Sequence, residues 1–327
     1  MSVAKVWGLV GDVGGTHARF AIAETDHNRT RILHAAVLRA ADYPTGEAAL
    51  EAYLGRLKGE RPHLAVIAAA GPIHKGVVSF TNNDGWGFSE KRVARACGIA
   101  DVKLINDFTA QALSIDRLAP HDTRLIGPRV RGRADATAAI MGPGTGFGAA
   151  ALVKDGRTRA VLTGEGGHCA FAPEDEVEIE IVRRLTVRYG PVSVERVLSG
   201  PGLFNLYQTL AEMAGEPAPL TAPDQVTRAG LDGEGLARTA LSRFCAILGS
   251  VAGDLALAMG AQAGVYISGG IAPDIFDFLK ASDFRRRFET KDRMQAYLRA
   301  IPTRVVVQPH AALIGSAALL DGMARST

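Results

Sequence analysis

The stretch Val10-Gly11-Asp12-Val13-Gly14-Gly15-Thr16-His17-Ala18-Arg19-Phe20-Ala21-Ile22 decides how the chain folds. Residues 3–10 and 18–22 have β character, and the glycine turn between them carries one acid, which predicts a hairpin. The pattern returns further along: 136–141 is an apolar run, Gly142-Pro143-Gly144-Thr145-Gly146 is a turn, and 147–153 resumes the strand. Two matched β-turn-β units predict a duplicated domain.

Working outward, 64–69 and 102–105 read as strands, with helical stretches at 89–97 and 109–115. In the second half 176–189, 203–214 and the long apolar 235–259 read as helices. They are followed by a strand at 264–268, the turn Gly269-Gly270, a strand at 304–307 and a helix from 311 to 323. Strand and helix alternate, so the fold class is α/β. A length of 327 residues suggests two domains. With 47% hydrophobic and 22% charged residues there is enough apolar material for two cores. Gly makes up 37 of the 327 residues, well above the usual ~7%.

The formal net charge is +3 without a dense basic tract, so no nucleic-acid partner is expected. No apolar stretch is read as reaching the ~20 residues of a membrane span, and the first residues lack a signal-peptide core, so a cytoplasmic protein with no membrane partner is expected. Cys97, Cys169 and Cys245 are odd in number and far apart, and are expected to be reduced core residues rather than a zinc site.

Backbone N–H groups around a glycine turn form a concave donor surface for phosphate oxygens. Either turn alone reads equally well as an ordinary hairpin; two copies, the first with an acid beside the glycines, point to a pair of phosphate cradles. A Walker-type site needs Gly-Lys, a dipeptide this chain lacks. Gly144 to Ala149 formally satisfies G-x-G-x-x-A, and Glu165 lies near the ~20-residue spacing of an acidic ribose ligand, which keeps a nicotinamide oxidoreductase in view. That fingerprint must open a helix, whereas here Lys154-Asp155-Gly156 and a further strand predict another hairpin.

Polar clusters follow each turn. In Ile105-Asn106-Asp107-Phe108 a strand ends and a helix begins, where a carboxylate can face a ligand or serve only as a cap. Thr163-Gly164-Glu165-Gly166-Gly167-His168 presents an acid and an imidazole three apart, a pair suited to vicinal hydroxyls. Glu195 lies in Ser193-Val194-Glu195-Arg196-Val197-Leu198-Ser199-Gly200. Two cradles, several groups for a polyol, and Asp12 as a water-mediated Mg²⁺ ligand make a kit for phosphoryl transfer to a sugar, with Asp107 as the base.

Together with Ser268-Gly269-Gly270, these motifs resemble the bacterial glucokinase family, in order over about residues 8–320. The resemblance implies a two-lobed actin-like ATPase (ribonuclease H-like) fold closing on glucose and ATP. The small lobe would be 1–110 plus 311–327, the large lobe 111–310, and the protein a homodimer. It implies ATP-dependent phosphorylation of the 6-hydroxyl of glucose at the entry to glycolysis. Asn82, Asn106, Asp107, Glu165, His168 and Glu195 would bind the sugar, with Asp107 also the base. Gly11, Asp12, Val13, Gly14, Gly15, Thr16, Gly144, Thr145 and Gly146 would hold phosphates, and Gly269 and Gly270 would face adenosine. His17 stands where Asn is common, and the loop 82–86 is one residue longer than usual, so Asn82 and Asn83 compete for the sugar. The zinc-binding cysteine cluster of the repressor/kinase (ROK) group is missing. A sugar-responsive regulator on the same fold is the rival from another class, but the first cradle begins at Gly11, with no N-terminal helix-turn-helix ahead of it.

Overall fold

The computed structural model describes residues 6–26, 29–59, 61–80, 86–156 and 158–326. They form two compact units, the first from residues 1–121 and 308–327 and the second from 122–307.

The first unit contains β1 (Val6–Val13), β2 (His17–Thr25), β3 (Thr30–Arg39), α1 (Gly46–Leu54), β4 (Leu64–Ala69), β5 (Val77–Ser79), β6 (Gly87–Ser89), α2 (Glu90–Cys97), β7 (Asp101–Asn106) and α3 (Asp107–Ser114). Its main sheet has the order β3-β2-β1-β4-β7. The β1–β2 and β2–β3 pairs are antiparallel, and β1–β4 and β4–β7 are parallel. β4, Leu-Ala-Val-Ile-Ala-Ala, is almost continuously apolar because both its faces are covered. Successive residues serve two cores, as the two-residue period of a strand requires. Leu9 and Ile67 join Phe20, Tyr53 and Phe88, while Val10 and Val66 join Leu313 and Leu320 from the end of the chain.

The second unit contains β8 (Thr123–Ile126), β9 (Ala138–Pro143), β10 (Phe147–Asp155), β11 (Thr158–Gly164), α4 (Glu176–Tyr189), α5 (Gly200–Ala214), α6 (Pro223–Asp232), α7 (Gly235–Met259), β12 (Gly264–Ile267), α8 (Ile271–Asp274), α9 (Phe276–Ala281), α10 (Phe284–Glu289), α11 (Gln295–Arg299) and β13 (Thr303–Val306). The chain then returns to the first unit as α12 (Ala311–Ser326). The second sheet has the order β11-β10-β9-β12-β13-β8. Its first five strands repeat the first unit's pattern of antiparallel, antiparallel, parallel and parallel pairs, and β8 adds an antiparallel edge.

α7 corrects one expectation. Its 25 residues have the length and hydropathy of a membrane span, the one such helix among the described residues. It is nevertheless a core helix: Phe244, Ile247, Leu248 and Ala252 are fully buried, and Gly260 in the left-handed conformation ends it. The cysteine expectation needs a similar correction. Cys97 and Cys245 are buried thiols, but Cys169 is exposed because the turn carrying it lies on the surface. Between α4 and α10, the fully buried Glu178 carboxylate accepts two 3.0 Å hydrogen bonds from Arg287, a pairing that offsets the cost of burying both charges.

Candidate active site

In the first unit the residues expected from the sequence to form a site collect at one end of the parallel strands. The register pairs Val13 with Ala69 and Ala69 with Asn106. The start of the first glycine turn and the end of β7 are therefore two strand spacings apart, roughly 10 Å. This carboxyl end of parallel strands is where open α/β sheets bind ligands.

The turn itself is Gly14 to Thr16, closed by the Gly14 N–H donating to the His17 carbonyl at 2.9 Å. Gly11 and Val13 are buried within β1, whereas Gly14 and Gly15 are part-buried and Thr16 is exposed. Asp12 and Arg19 are direct cross-strand partners, and Arg19 Nη1 donates to Asp12 Oδ2 at 3.0 Å. Burial raises the Asp12 carboxyl above the usual carboxylate range, Arg19 and His310 acting in the opposite direction.

Asn106 is the N-cap of α3. Its Oδ1 accepts from the N–H groups of Phe108 at 2.9 Å and Thr109 at 3.2 Å, and its Nδ2 donates to the Gly71 carbonyl at 3.5 Å, one of the two N–H bonds an amide nitrogen carries. Asp107 is the first residue of the helix, and its Oδ1 also accepts from the Phe108 N–H at 2.9 Å. A negative charge there is favoured by the helix dipole. Asn82 and Asn83 lie outside the described residues.

In the second unit two glycine turns pack against each other at the ends of the parallel pair β9 and β12. Gly142 has no room for a Cβ because the Ser268 carbonyl lies there, and Gly269, with φ +82°, abuts the Pro143 carbonyl. The Gly144 N–H donates to the Gly146 carbonyl at 2.8 Å, and the Gly200 N–H at the start of α5 donates to the Gly144 carbonyl at 2.8 Å. β10, not a helix, follows this turn, so the helix that a dinucleotide fingerprint needs is absent here. Gly144, Thr145 and Gly270 line a cavity of about 600 Å³ together with Pro223, Thr227 and Leu231 of α6. A Cβ at Gly144 or Gly270 would meet no protein atom, so both backbones are open to a ligand.

Glu165 and His168 stand at the two ends of a 3₁₀ turn closed by the His168 N–H donating to the Glu165 carbonyl at 3.0 Å. Side chains three apart eclipse in such a turn, so the acid and the imidazole share one side. Both are exposed, and Gly167 pins the turn against the Phe147 carbonyl. Glu195 Oε2 accepts from the Phe147 N–H at 2.8 Å, tying it to the end of the second glycine turn. His168 and Glu195 line a second cavity of about 600 Å³, with Phe171, Val182 and Arg196.

Of the site residues expected from the sequence, the first unit groups Asp12, the Gly14–Thr16 turn, Asn106 and Asp107 at one sheet end. The second groups Gly144, Thr145 and Gly270 at one cavity and His168 and Glu195 at another. Sequence reasoning missed the α6 wall, although Pro223 at its start and Gly233 at its end mark a helix.

The family model described as Glucokinase matches residues 9–323. A protein named glucokinase from Caulobacter sp. (strain K31) is 50% identical, over 97% of this chain and 96% of its own length. The crystal structure of glucokinase from an Antarctic psychrotroph is 37% identical with a TM-score of 0.87, covering 96% of this chain and 98% of that one. The ROK hexokinase of Thermus thermophilus shares the fold at 19% identity and a TM-score of 0.68, over 99% and 100% of the two chains.

Proposed function

This chain belongs to the glucokinase family, and on that premise we propose how it transfers the γ-phosphoryl group of ATP to the 6-hydroxyl of D-glucose, giving D-glucose 6-phosphate and ADP. The observation that carries the residue assignment is the register across β1, β4 and β7, which sets Asp107 at the same sheet end as the first glycine turn.

In this reading the sugar ligands are those the family resemblance implies, Asn82, Asn106, Asp107, Glu165, His168 and Glu195. Asp107 takes the proton of the 6-hydroxyl as its oxygen bonds to the γ-phosphorus and the bond to the β-phosphate oxygen breaks. Such a base supplies ~10²–10⁴-fold in rate, and the remainder comes from position and charge stabilisation. The Gly14–Thr16 and Gly142–Gly146 turns receive phosphates, while the cavity beside Gly270 and Leu231 takes the adenine and ribose.

Among the described residues no cluster of three acidic, histidine or cysteine side chains could cage a metal ion. The lone Asp12 carboxylate fits Mg²⁺ of the kind that keeps its waters and rides on the nucleotide phosphates. When bound, the ion neutralises phosphate charge; Asp12 would hold it through water. The reading further includes a homodimer in the cytoplasm, acting where glucose enters glycolysis.

The test is a scan of hexoses with ATP, following ADP release and identifying the sugar phosphate by ³¹P NMR. Equimolar ADP and glucose 6-phosphate are expected. Turnover with another hexose exceeding that with glucose would overturn the substrate, and hydride transfer to a nicotinamide would overturn the reaction.

A further inference from the structure

α3 is eight residues long, with Asn106 as its cap and Asp107 as its first residue, so a shift of the helix is a shift of Asp107. The helix it leans on is α12. At Gly315, buried within α12, an added Cβ would fall onto the Ala110 carbonyl, 2.6 Å from its carbon and 3.0 Å from the Ser114 nitrogen. An α-helix joins the carbonyl of one residue to the N–H four residues on, so a methyl group there would press on the bond that closes the central turn of α3. No other described glycine is approached so closely. Glycine is the poorest helix former after proline. Helix propensity therefore argues against it at 315, and the nearness of α3 requires it. Later in the same helix the constraint is gone, since a Cβ at Gly322 would meet no atom within 4 Å.

The packing also decides which helix would give way. α12 is fixed to the sheet, its Leu313 and Leu320 sharing a core with Val10 of β1 and Val66 of β4. α3 ends at Ser114, and three residues on Arg117 Nη2 donates to Asp321 Oδ2 of α12 at 2.9 Å, with both side chains largely buried. The short helix thus meets α12 twice, through bare backbone at Ala110 and through an ion pair just past its end. Ala110 is three residues from Asp107, about 4.5 Å along the axis, so a displacement at Ala110 reaches the carboxylate almost undiminished. A misplacement of ~1 Å at a reacting group can cost on the order of 10²-fold in rate.

We propose that Gly315 is a positioning residue for Asp107: its contact with the Ala110 carbonyl sets where α3 lies, and with it where Asp107 presents its carboxylate to the acceptor hydroxyl. The Arg117–Asp321 pair anchors the chain just beyond the same helix. The inference rests on the reading of Asp107 as the base.

The test is a double-mutant cycle on the full chain with Gly315→Ala and Asp107→Asn, reading single-turnover transfer at saturating glucose, the KM for ATP and the melting temperature. Gly315→Ala is expected to slow transfer on the order of 10²-fold with the KM for ATP within about twofold of the parent, and Gly322→Ala to leave both unchanged. In the Asp107→Asn background Gly315→Ala should slow transfer less than about threefold, because the carboxylate it misplaces is gone. Equal slowing in the two backgrounds, or parental transfer by Gly315→Ala, overturns the positioning role. Parental transfer by Asp107→Asn would instead overturn the base reading, whatever Gly315→Ala does. Should Gly315→Ala fail to fold, Asp321→Asn carries the cycle: it loosens the second anchor, and transfer should fall several-fold with Asp107 present and not with Asn there. A loss equal in both backgrounds, or no loss in either, overturns the proposal.

Discussion

The two glycine turns occupy equivalent places in two sheets of the same topology, yet they are built differently. Each is closed by a backbone hydrogen bond, but over different spans: Gly14 N–H reaches the carbonyl of His17, three residues on, and Gly144 N–H that of Gly146, two residues on. The first has charge beside it: Arg19 Nη1 donates to Asp12 Oδ2 at 3.0 Å. The second has no ionisable residue in the turn and is held by backbone, with Gly200 on one side, Ser268 and Gly269 on another, and Glu195 as its one acidic tether. The two sheets share a strand pattern, while the first turn has an ion pair beside it and the second is fixed by close backbone packing.

That contrast is most exposed to failure at Asp12. Replacing it with Asn is expected to lower kcat by about 10²-fold while stabilising the ligand-free protein. The sign follows from the raised carboxyl pKa: stability from this group is full below the ordinary carboxylate range and is lost as pH rises through the folded value. The Asn variant should therefore melt ~2–4 °C higher near pH 7, with the gap closing toward pH 4. Melting curves across pH check it; a lower melting temperature at neutral pH would break the contrast.

The second turn makes the opposite prediction, one of shape alone. Gly142→Ala drives a Cβ into the Ser268 carbonyl and should cost about 1–3 kcal/mol by chemical denaturation. Gly144→Ala meets no atom and should stay within ~0.5 kcal/mol of the parent, yet raise the KM for ATP about tenfold because a methyl group then sits where a phosphate belongs. An unchanged KM would remove Gly144 from the nucleotide site.

Gly146→Ala sharpens the link between nucleotide and sugar. Its Cβ would lie 2.6 Å from Glu195 Oε2, so the carboxylate must swing off the Phe147 N–H. The KM for glucose should rise several-fold, on the order of 1 kcal/mol of lost binding. The smallest effect is expected at Arg228→Ala on the rim of the α6 cavity. Its 3.6 Å pair with Asp224 leaves both side chains more than 70% exposed, and stability should change by less than ~1 kcal/mol.

Much of this was legible in the sequence because it is written in local chemistry. The turns around Gly14 and Gly144, the alternation of strand and helix, and α4 and α7, whose ends are expected at 176–189 and 235–259, all rest on short-range signals. Asn106 and Asp107 stood out at a strand-to-helix junction and prove to be the cap and first residue of α3. β3 was not legible: it is an edge strand whose residues are mostly exposed or part-exposed, so selection for alternation is weak. The α6 wall was illegible for another reason: its importance comes from the cavity it shares with Gly144, at long sequence separation.

The central claim, that Asp107 removes the proton from the sugar hydroxyl, is best tested by measuring glucose affinity and single-turnover phosphoryl transfer on one preparation of Asp107→Asn. The amide keeps the shape and one acceptor, so calorimetry should find glucose binding within about tenfold of the parent, while the transfer rate falls ~10²–10⁴-fold. Transfer at close to the parental rate, with binding intact, would contradict the account.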